Sequence, residues 1–509
     1  MIVDNETAEW TREEWQLEAR QLLNEIGPGL ISPSAYDTAW LVRLMEQDAE
    51  LGKGALEWLC QNQLPDGSWG TGTPVCYQDR IICTLSAMTA LARFGRRAQD
   101  RKAISNGLIA LETLTKNATR QLVANPASST VGFEMLAPAL IAEAEELGII
   151  SSQGNRILGR LEKQRRLKLA KLAGSTIDRT ITAAFSVEMV RDDLSRLDLE
   201  NLQEKNGSIA YSPSATAFYL IKVRPEDPAA LTYLHQVVSE GAVPYVGPAE
   251  VFECAWTLWN LALTDWSSEL KDLTHRPLQE LNKAWDVGIG LGAATGLSLI
   301  DGDCTAMTYE AAKKWGGTFD IDSLLYYEGD DHFRCYTLEV DPSTSTNIHL
   351  LGALRQAGFK TSHPSVQKIF NFLVRQRQPD HMWVDKWNLS PYYPTAHAII
   401  ACAGYNDGLV QGSVKQILAS QNADGSWGYM EKTAEETAYA LQALCVWKRS
   451  GHQVDNGVLE NGLKWLKKHS HQPYANLWIG KCLYTPIRVV TATILSAIGR
   501  VTQELRGEI

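Results

Sequence analysis

Apolar side chains recur every three to four residues along most of this chain, as in Trp15 to Leu23, Ile81 to Phe94, Val251 to Leu263 and Ala434 to Trp447. That period puts them on one stripe of a helix, so the pattern predicts amphipathic α-helices from end to end. Runs that alternate apolar and polar are scarce. The Asp-Gly and Asn-Gly pairs fall between helical stretches, which makes hairpins a minor feature. Helices joined by short turns over this length predict an all-α fold of stacked helical hairpins.

An internal repeat sharpens the picture. QLPDGSWG (Gln63 to Gly70) recurs as QNADGSWG (Gln421 to Gly428), each between two apolar helices, and a fainter relative runs from Asn206 to Ala217. The helices that follow also align, with Thr84 opposite Thr437 and Ala87 opposite Ala440. Asp-Gly supplies a turn with a positive φ, the Gln amide is expected to bond free helix-end groups, and the Trp to stack over both. Such a clasp would staple neighbouring helices. Two related helical domains follow, each a ring of paired helices.

With 509 residues the chain has room for two or three domains. Its net charge of −11 argues against nucleic acid as a partner, so an anionic ligand must be held by local cations. The apolar stretches stay below the roughly 20 residues that span a bilayer, and the acidic start lacks an apolar signal region, which predicts a cytoplasmic protein without a transmembrane segment. Nine cysteines without a C-x-x-C suit a reducing compartment and speak against a disulfide framework or a zinc site. Sixteen Trp against ten Phe is unusual, and fits either an aromatic-lined cavity or packing between helices.

The repeat resembles the QW motif of class II terpene cyclases, and SAYDTAW (Ser34 to Trp40) resembles a segment of their diterpene branch. YSPSA (Tyr211 to Ala215), DGDCTAM (Asp301 to Met307), STNIHLLGAL (Ser345 to Leu354), DKW (Asp385 to Trp387) and EETAYAL (Glu435 to Leu441) occur in that family's order. The likeness is strongest to bacterial cyclases of the tuberculosinyl (halimadienyl) and kolavenyl diphosphate synthase type. It implies two α-barrel (α/α toroid) domains: a discontinuous β domain of residues 1–30 plus 271–509, and an inserted γ domain of residues 31–270. It also implies protonation of the terminal alkene of geranylgeranyl diphosphate, closure of two rings and release of a bicyclic diterpenyl diphosphate of the halimane, clerodane (kolavenyl) or labdane (copalyl) type.

An alkene is a very weak base, so its proton donor must be a neutral carboxylic acid in a dry pocket. Burial and a second carboxylate both raise a carboxyl pKa, which is the use of the family's D-x-D-D motif. That motif reads here Asp301, Gly302, Asp303, Cys304. The resemblance makes Asp303 the donor and Asp301 its supporting acid, with Cys304 in place of the last acid. Taken alone, the two acids read as a helix N-cap. Asn347 matches an Asn that orients the donor acid in plant relatives, and His349 reads as a core histidine.

Lys386 matches a lysine that grips the diphosphate, and Lys168 and Lys171 resemble a second such contact from γ. Trp383, Trp387 and Tyr336 are candidates to line the substrate cavity and stabilise cations, although core packing is the commoner role for an aromatic. Many relatives carry an acidic Mg²⁺ cluster ahead of the G-F-E segment. Here Leu122 to Glu134 holds no carboxylate before Glu134, so the expectation is Mg²⁺ at Glu134 with a weak requirement, or a different head group.

The alternatives fare less well. A class I synthase needs D-D-x-x-D, and neither Asp330-Asp331 nor the Asp192 to Glu200 run supplies its metal motifs. A protein prenyltransferase needs zinc, and a scaffold needs no buried acid; a toroid glycosidase needs two opposed carboxylates, which composition does not exclude. Within the cyclases the runner-up acts on a prenylated aromatic or other non-diphosphate terpenoid. A diphosphate product implies a downstream class I synthase or phosphatase as a pathway partner.

Overall fold

The computed structural model describes residues 11–124, 130–151, 165–168, 170, 174–339 and 341–507. Its inner helices close two rings. The first ring consists of α2 (Ala35–Val42), α4 (Tyr77–Phe94), α6 (Phe133–Glu146), a 3-10 segment (Thr182–Val190) and α7 (Pro213–Lys222), each packed on the next and α7 returning to α2. Outside it lie α3 (Ala49–Gln61), α5 (Ala98–Ala124) and α8 (Pro228–Val237).

The second ring has six inner helices: α9 (Glu250–Leu261), α11 (Gly302–Lys314), α13 (Thr344–Gln356), α15 (Tyr392–Cys402), α17 (Ala434–Arg449) and α19 (Ile487–Arg506), with α9 packed on both α11 and α19. Its outer helices are α10 (His275–Ala284), α12 (Asp322–Leu325), α14 (Pro364–Gln376), α16 (Asp407–Ala419), α18 (Asn456–Lys468) and the N-terminal α1 (Arg12–Glu25), which leans on α19. The chain thus begins in the second ring, leaves to build the first and returns. Because α9 closes the second ring, the return comes near residue 249. A boundary at 270 assigns α9 to the wrong ring, since sequence pattern carries no sign of which ring an apolar helix completes.

The division into inner and outer helices follows from composition. Inner helices such as α11, α15 and α17 are buried almost all round, whereas α14 and α18 bury one stripe and leave charged residues outside.

The repeat is a helix clasp. Gln63 Nε2 donates to the carbonyls of Gly67 and Ala103 at 2.8 Å each, and Gln421 Nε2 to those of Gly425 and Val458 at 3.0 and 2.9 Å. The indole N–H of Trp69 meets Leu59 O, and that of Trp427 meets Ile417 O, both at 2.8 Å, in the last turn of the preceding helix. The indole therefore satisfies the orphan helix-end carbonyl, a task the sequence pattern assigns to Gln. Thr84 and Thr437 accept from the Trp backbone N–H at 3.0 Å, which explains their alignment. Trp383 repeats the arrangement, donating to Leu373 O at 2.9 Å while its N–H meets Thr395. It is fully buried as a staple between α14 and α15.

A two-stranded antiparallel hairpin, β1 (Trp478–Ile479) and β2 (Leu483–Tyr484), bridges the rings. Lys481 at its turn is buried against first-ring residues, donating to Glu188 Oε1 at 2.7 Å and to Ser212 and Ser214. Cys482 lies with its sulfur 3.5 Å from that of Cys83, and Asp79 completes a trio of ligand-type groups there. No helix among the described residues is long and apolar enough to cross a membrane.

Candidate active site

Asp301 caps α11, its carboxylate accepting from Cys304 N at 2.6 Å. The cap reading of the sequence is therefore correct for Asp301, and the cap is what aims Asp303 inward from the first helical turn. Gly302 between them has no room for a side chain, since a Cβ there would lie 2.7 Å from Arg334 O and 3.0 Å from the Tyr327 ring. Asp301 is buried, and desolvation with the added repulsion of Asp303 raises its pKa to about 7 against the backbone N–H bond from Cys304.

Asp303 meets a histidine. His349 Nδ1 lies 2.5 Å from Asp303 Oδ1, and His349 Nε2 lies 2.8 Å from Nδ1 of His397 on α15. Burial, followed by the neighbouring His349 and Lys314, pushes the His397 pKa well below the usual range, so that ring is neutral. Its Nε2 is buried without a partner. One proton arrangement leaves no ring donor unpaired: His397 Nδ1–H donates to His349 Nε2, and His349 Nδ1–H donates to Asp303 Oδ1. Among the described residues no group bonds Asp303 Oδ2. The carboxyl is thus held by one oxygen and has the other available to carry and deliver a proton.

Asn347 does not touch this acid. Its Oδ1 accepts from Phe333 N at 2.9 Å, and its Nδ2 donates to Phe333 O and Ser343 O at 2.8 and 2.9 Å. The reason is helical geometry, because residues two apart point to opposite sides of α13 and only one of Asn347 and His349 can face Asp303. Asn347 instead pins the segment whose Cys335 carbonyl receives the Gly302 N–H, and so holds the start of α11.

Aromatic rings pack around the histidine pair. Tyr393 lies 6.0 Å from His349, Trp478 lies 4.9 Å from Tyr393, and Trp259 stacks on His397 at 4.5 Å. Glu435 is buried among them. It accepts from Tyr439 OH and Trp478 Nε1 at 2.8 Å each, its second oxygen has no partner, and desolvation raises its pKa to about 7.

A charged cluster sits where the rings meet at the N-terminal end of α13. Asp385 accepts from the backbone of Thr344 and Ser345 at 2.7 and 3.1 Å, which fixes the D-K-W turn. The next residue, Lys386, ion-pairs with Glu339, donates to Asp341 O at 2.6 Å and lies 5.0 Å over the Trp387 ring. Burial works against its charge, but the Glu339 carboxylate outweighs this and raises its pKa. From the other ring Lys168 reaches Glu134 at 2.5 Å and Asp341 at 3.6 Å. Tyr336 packs edge-on to Trp387 at 6.2 Å. Lys386, Lys168, Glu134, Trp387 and Tyr336 are thus brought together; Lys171 lies outside the described residues.

Sequence reasoning missed the hydrogen bonds that His349 and His397 build behind Asp303, and the acids Glu339 and Asp341. The available signal was weak: two histidines at internal positions of apolar helices, each of which reads singly as core.

Comparison with known proteins decides the family. Over 477 residues, 92% of this chain and 95% of the relative, the sequence is 44% identical to the Type B diterpene cyclase of Mycobacterium tuberculosis. The chain belongs to the class II diterpene cyclases. It is also 32% identical to the ent-copalyl diphosphate synthase of Streptomyces sp. KO-3988, covering 94% of this chain and 93% of that one. The squalene-hopene cyclase C-terminal domain model matches residues 304–479. Among solved structures, ent-copalyl diphosphate synthase from Streptomyces platensis superposes with a TM-score of 0.78 at 27% identity, covering 96% of this cyclase and 99% of that chain.

Proposed function

We propose that this cyclase protonates the terminal alkene of geranylgeranyl diphosphate with Asp303 and closes two rings, leaving the diphosphate in place. The observation that carries the reading is the one-sided hold on Asp303: a buried carboxyl bonded at Oδ1 by the His349–His397 pair, with Oδ2 unclaimed. A histidine hydrogen bond at Oδ1 orients the acid without the permanent charge of a lysine or arginine, which would ionise it. Delivery of the Oδ2 proton makes a carbocation at the distal end of the substrate. The internal alkenes close on it in turn, the aromatic rings stabilise the moving charge, and loss of a C–H proton ends the reaction. Cavity shape decides between halimane, clerodane and labdane skeletons.

Lys386 and Lys168 would grip the diphosphate, exchanging their present carboxylate partners for phosphate oxygens. Two converging lysines favour a charged head group over a prenylated aromatic. Mg²⁺, when bound, would neutralise part of the diphosphate charge, and Glu134 and Asp341 supply oxygen donors for it. Leu122 to Glu134 offers no carboxylate before Glu134, which supports a weak metal requirement. A diphosphate product calls for a class I synthase or a phosphatase to consume it. Nine free thiols fit a cytoplasmic location.

The test is incubation of purified enzyme with geranylgeranyl diphosphate followed by extraction with and without phosphatase. A bicyclic alcohol that appears only after phosphatase supports the proposal. Free hydrocarbon without phosphatase would show that the enzyme ionises its substrate. EDTA should slow turnover without abolishing it.

A further inference from the structure

Where the hairpin meets the first ring, three side chains of metal-ligand type converge. Asp79 and Cys83 stand one turn apart on α4, a spacing that puts both on one face of the helix. Cys482 reaches them from the turn between β1 and β2, 399 residues beyond Cys83. A separation of that size leaves no ligand spacing for a sequence motif to show. All three ligand atoms lie within 4.8 Å of one another, and none of the three residues is more than 1% exposed.

The distances fit a tetrahedral ion. Zinc bonds sulfur at about 2.3 Å and carboxylate oxygen at about 2.1 Å, which at the tetrahedral angle sets two sulfurs about 3.8 Å apart and a sulfur and an oxygen about 3.6 Å apart. Here Cys83 Sγ lies 3.5 Å from Cys482 Sγ and 3.7 Å from Asp79 Oδ1. The carboxylate is already aimed, since Leu483 N donates to Oδ1 at 2.9 Å and Thr71 N to Oδ2 at 2.7 Å, and hydrogen bonds of this kind orient a ligating carboxylate. Each oxygen keeps a further lone pair. A fourth thiol stands near: Cys76 precedes the first turn of α4 and packs with Ile479 and Leu483 of the hairpin. Burial, then Asp79 and in smaller part Cys482, push its pKa up to about 12, which places it within electrostatic reach of the same groups. Thiolates with one carboxylate suit Zn²⁺, whereas Mg²⁺ and Ca²⁺ take oxygen ligands. A disulfide would need the two sulfurs about 2.05 Å apart and would give Asp79 no part.

We propose that Asp79, Cys83 and Cys482 bind one Zn²⁺ ion that ties the hairpin of the second ring to α4 of the first. Each thiol gives its proton to solvent as its bond to zinc forms. Without the ion, burial raises the pKa of both thiols, and a bound cation reverses that by taking the thiolate outright. A closed site of this kind is structural, so the energy of binding becomes energy of folding shared by the two rings. The site uses none of the residues of the cyclisation proposal, and metal content can be read without turnover.

The test is the zinc content of the full-length enzyme, expressed with zinc in the medium, purified without chelator and measured by inductively coupled plasma mass spectrometry. The expected result is one zinc per chain, lowered at least about tenfold in Cys83→Ser and in Cys482→Ser. Cys445→Ser, which alters a buried thiol outside the cluster, should keep the ion. Stripping zinc from wild type should lower Tm, and the Tm of Cys482→Ser should not respond to chelator. Cys83→Ala and Cys482→Ala provide a second pair should the serine variants fold poorly. Wild-type zinc no higher than in these variants would overturn the proposal. So would a thiol titration of unfolded, chelator-treated wild type that falls two short of the nine cysteines, because it would reveal a Cys83–Cys482 disulfide in place of a metal site.

Discussion

At the scale of single residues, the site separates two neighbours on one helix. His349→Ala should lower kcat by about 10²-fold or more through loss of the group that orients Asp303, since positioned acid–base groups typically contribute 10²–10⁴-fold. Asn347→Ala should act chiefly on stability, because it leaves the buried Phe333 backbone N–H and C=O unpaired at about 1–3 kcal/mol for each orphaned group. The two are distinguished by measuring kcat and Tm for each variant. The sequence reading set Asn347 at the acid and His349 in the core, the reverse of what the structure shows, because the choice depends on which side of α13 faces α11 and spacing alone leaves that rotation open.

Asp301 carries a second residue-scale prediction. Its folded pKa of about 7 lies above the carboxyl value of the unfolded chain, so between about pH 4 and 7 the folded state binds the extra proton. Its contribution to stability is greatest at the acidic end of that window and is lost as pH rises through 7. Asp301→Asn keeps the N-cap and removes the titration. Tm measured from pH 5 to 8 should therefore fall for wild type relative to this variant; parallel curves would show that Asp301 does not titrate in that range.

At the scale of elements, the clasps explain why the Asp-Gly turns recur. Gly425 has φ +93°, and a Cβ on it would lie 2.4 Å from Asn461 O, whereas Gly451 has φ +100° and nothing within 4 Å. Both positions make a side chain pay the left-handed cost, and only Gly425 adds a collision with the next helix. Gly425→Ala should lower stability by at least about 1 kcal/mol more than Gly451→Ala, read by denaturant unfolding. The clasp was legible because its residues are contiguous. The charged cluster was only half legible: Lys386 and Lys168 stood in recognisable segments, while Glu339 and Asp341 belong to a loop whose approach is set by tertiary packing.

For the whole molecule, the hairpin joins the rings by burying a charge. Lys481 and Glu188 have side chains 2% and 1% exposed, so removing either partner strands the other. Lys481→Met should destabilise the protein by about 3–5 kcal/mol and lower the unfolding midpoint, and an unchanged midpoint would show that the rings do not depend on this contact. The paired-ring architecture was readable from apolar period and repeat. The return near residue 249 was not, because α9 looks like any other inner helix until its neighbours are known.

The central claim is that cyclisation begins with a proton from Asp303, a group that exchanges with solvent. The most direct measurement is turnover of geranylgeranyl diphosphate in D₂O, with the intact diphosphate product analysed by mass spectrometry and NMR. The account predicts one deuterium per product molecule, on the ring carbon that was the terminal alkene CH, and no product from Asp303→Asn. Product without deuterium at that carbon, or labelled product formed at wild-type rate by Asp303→Asn, would contradict it.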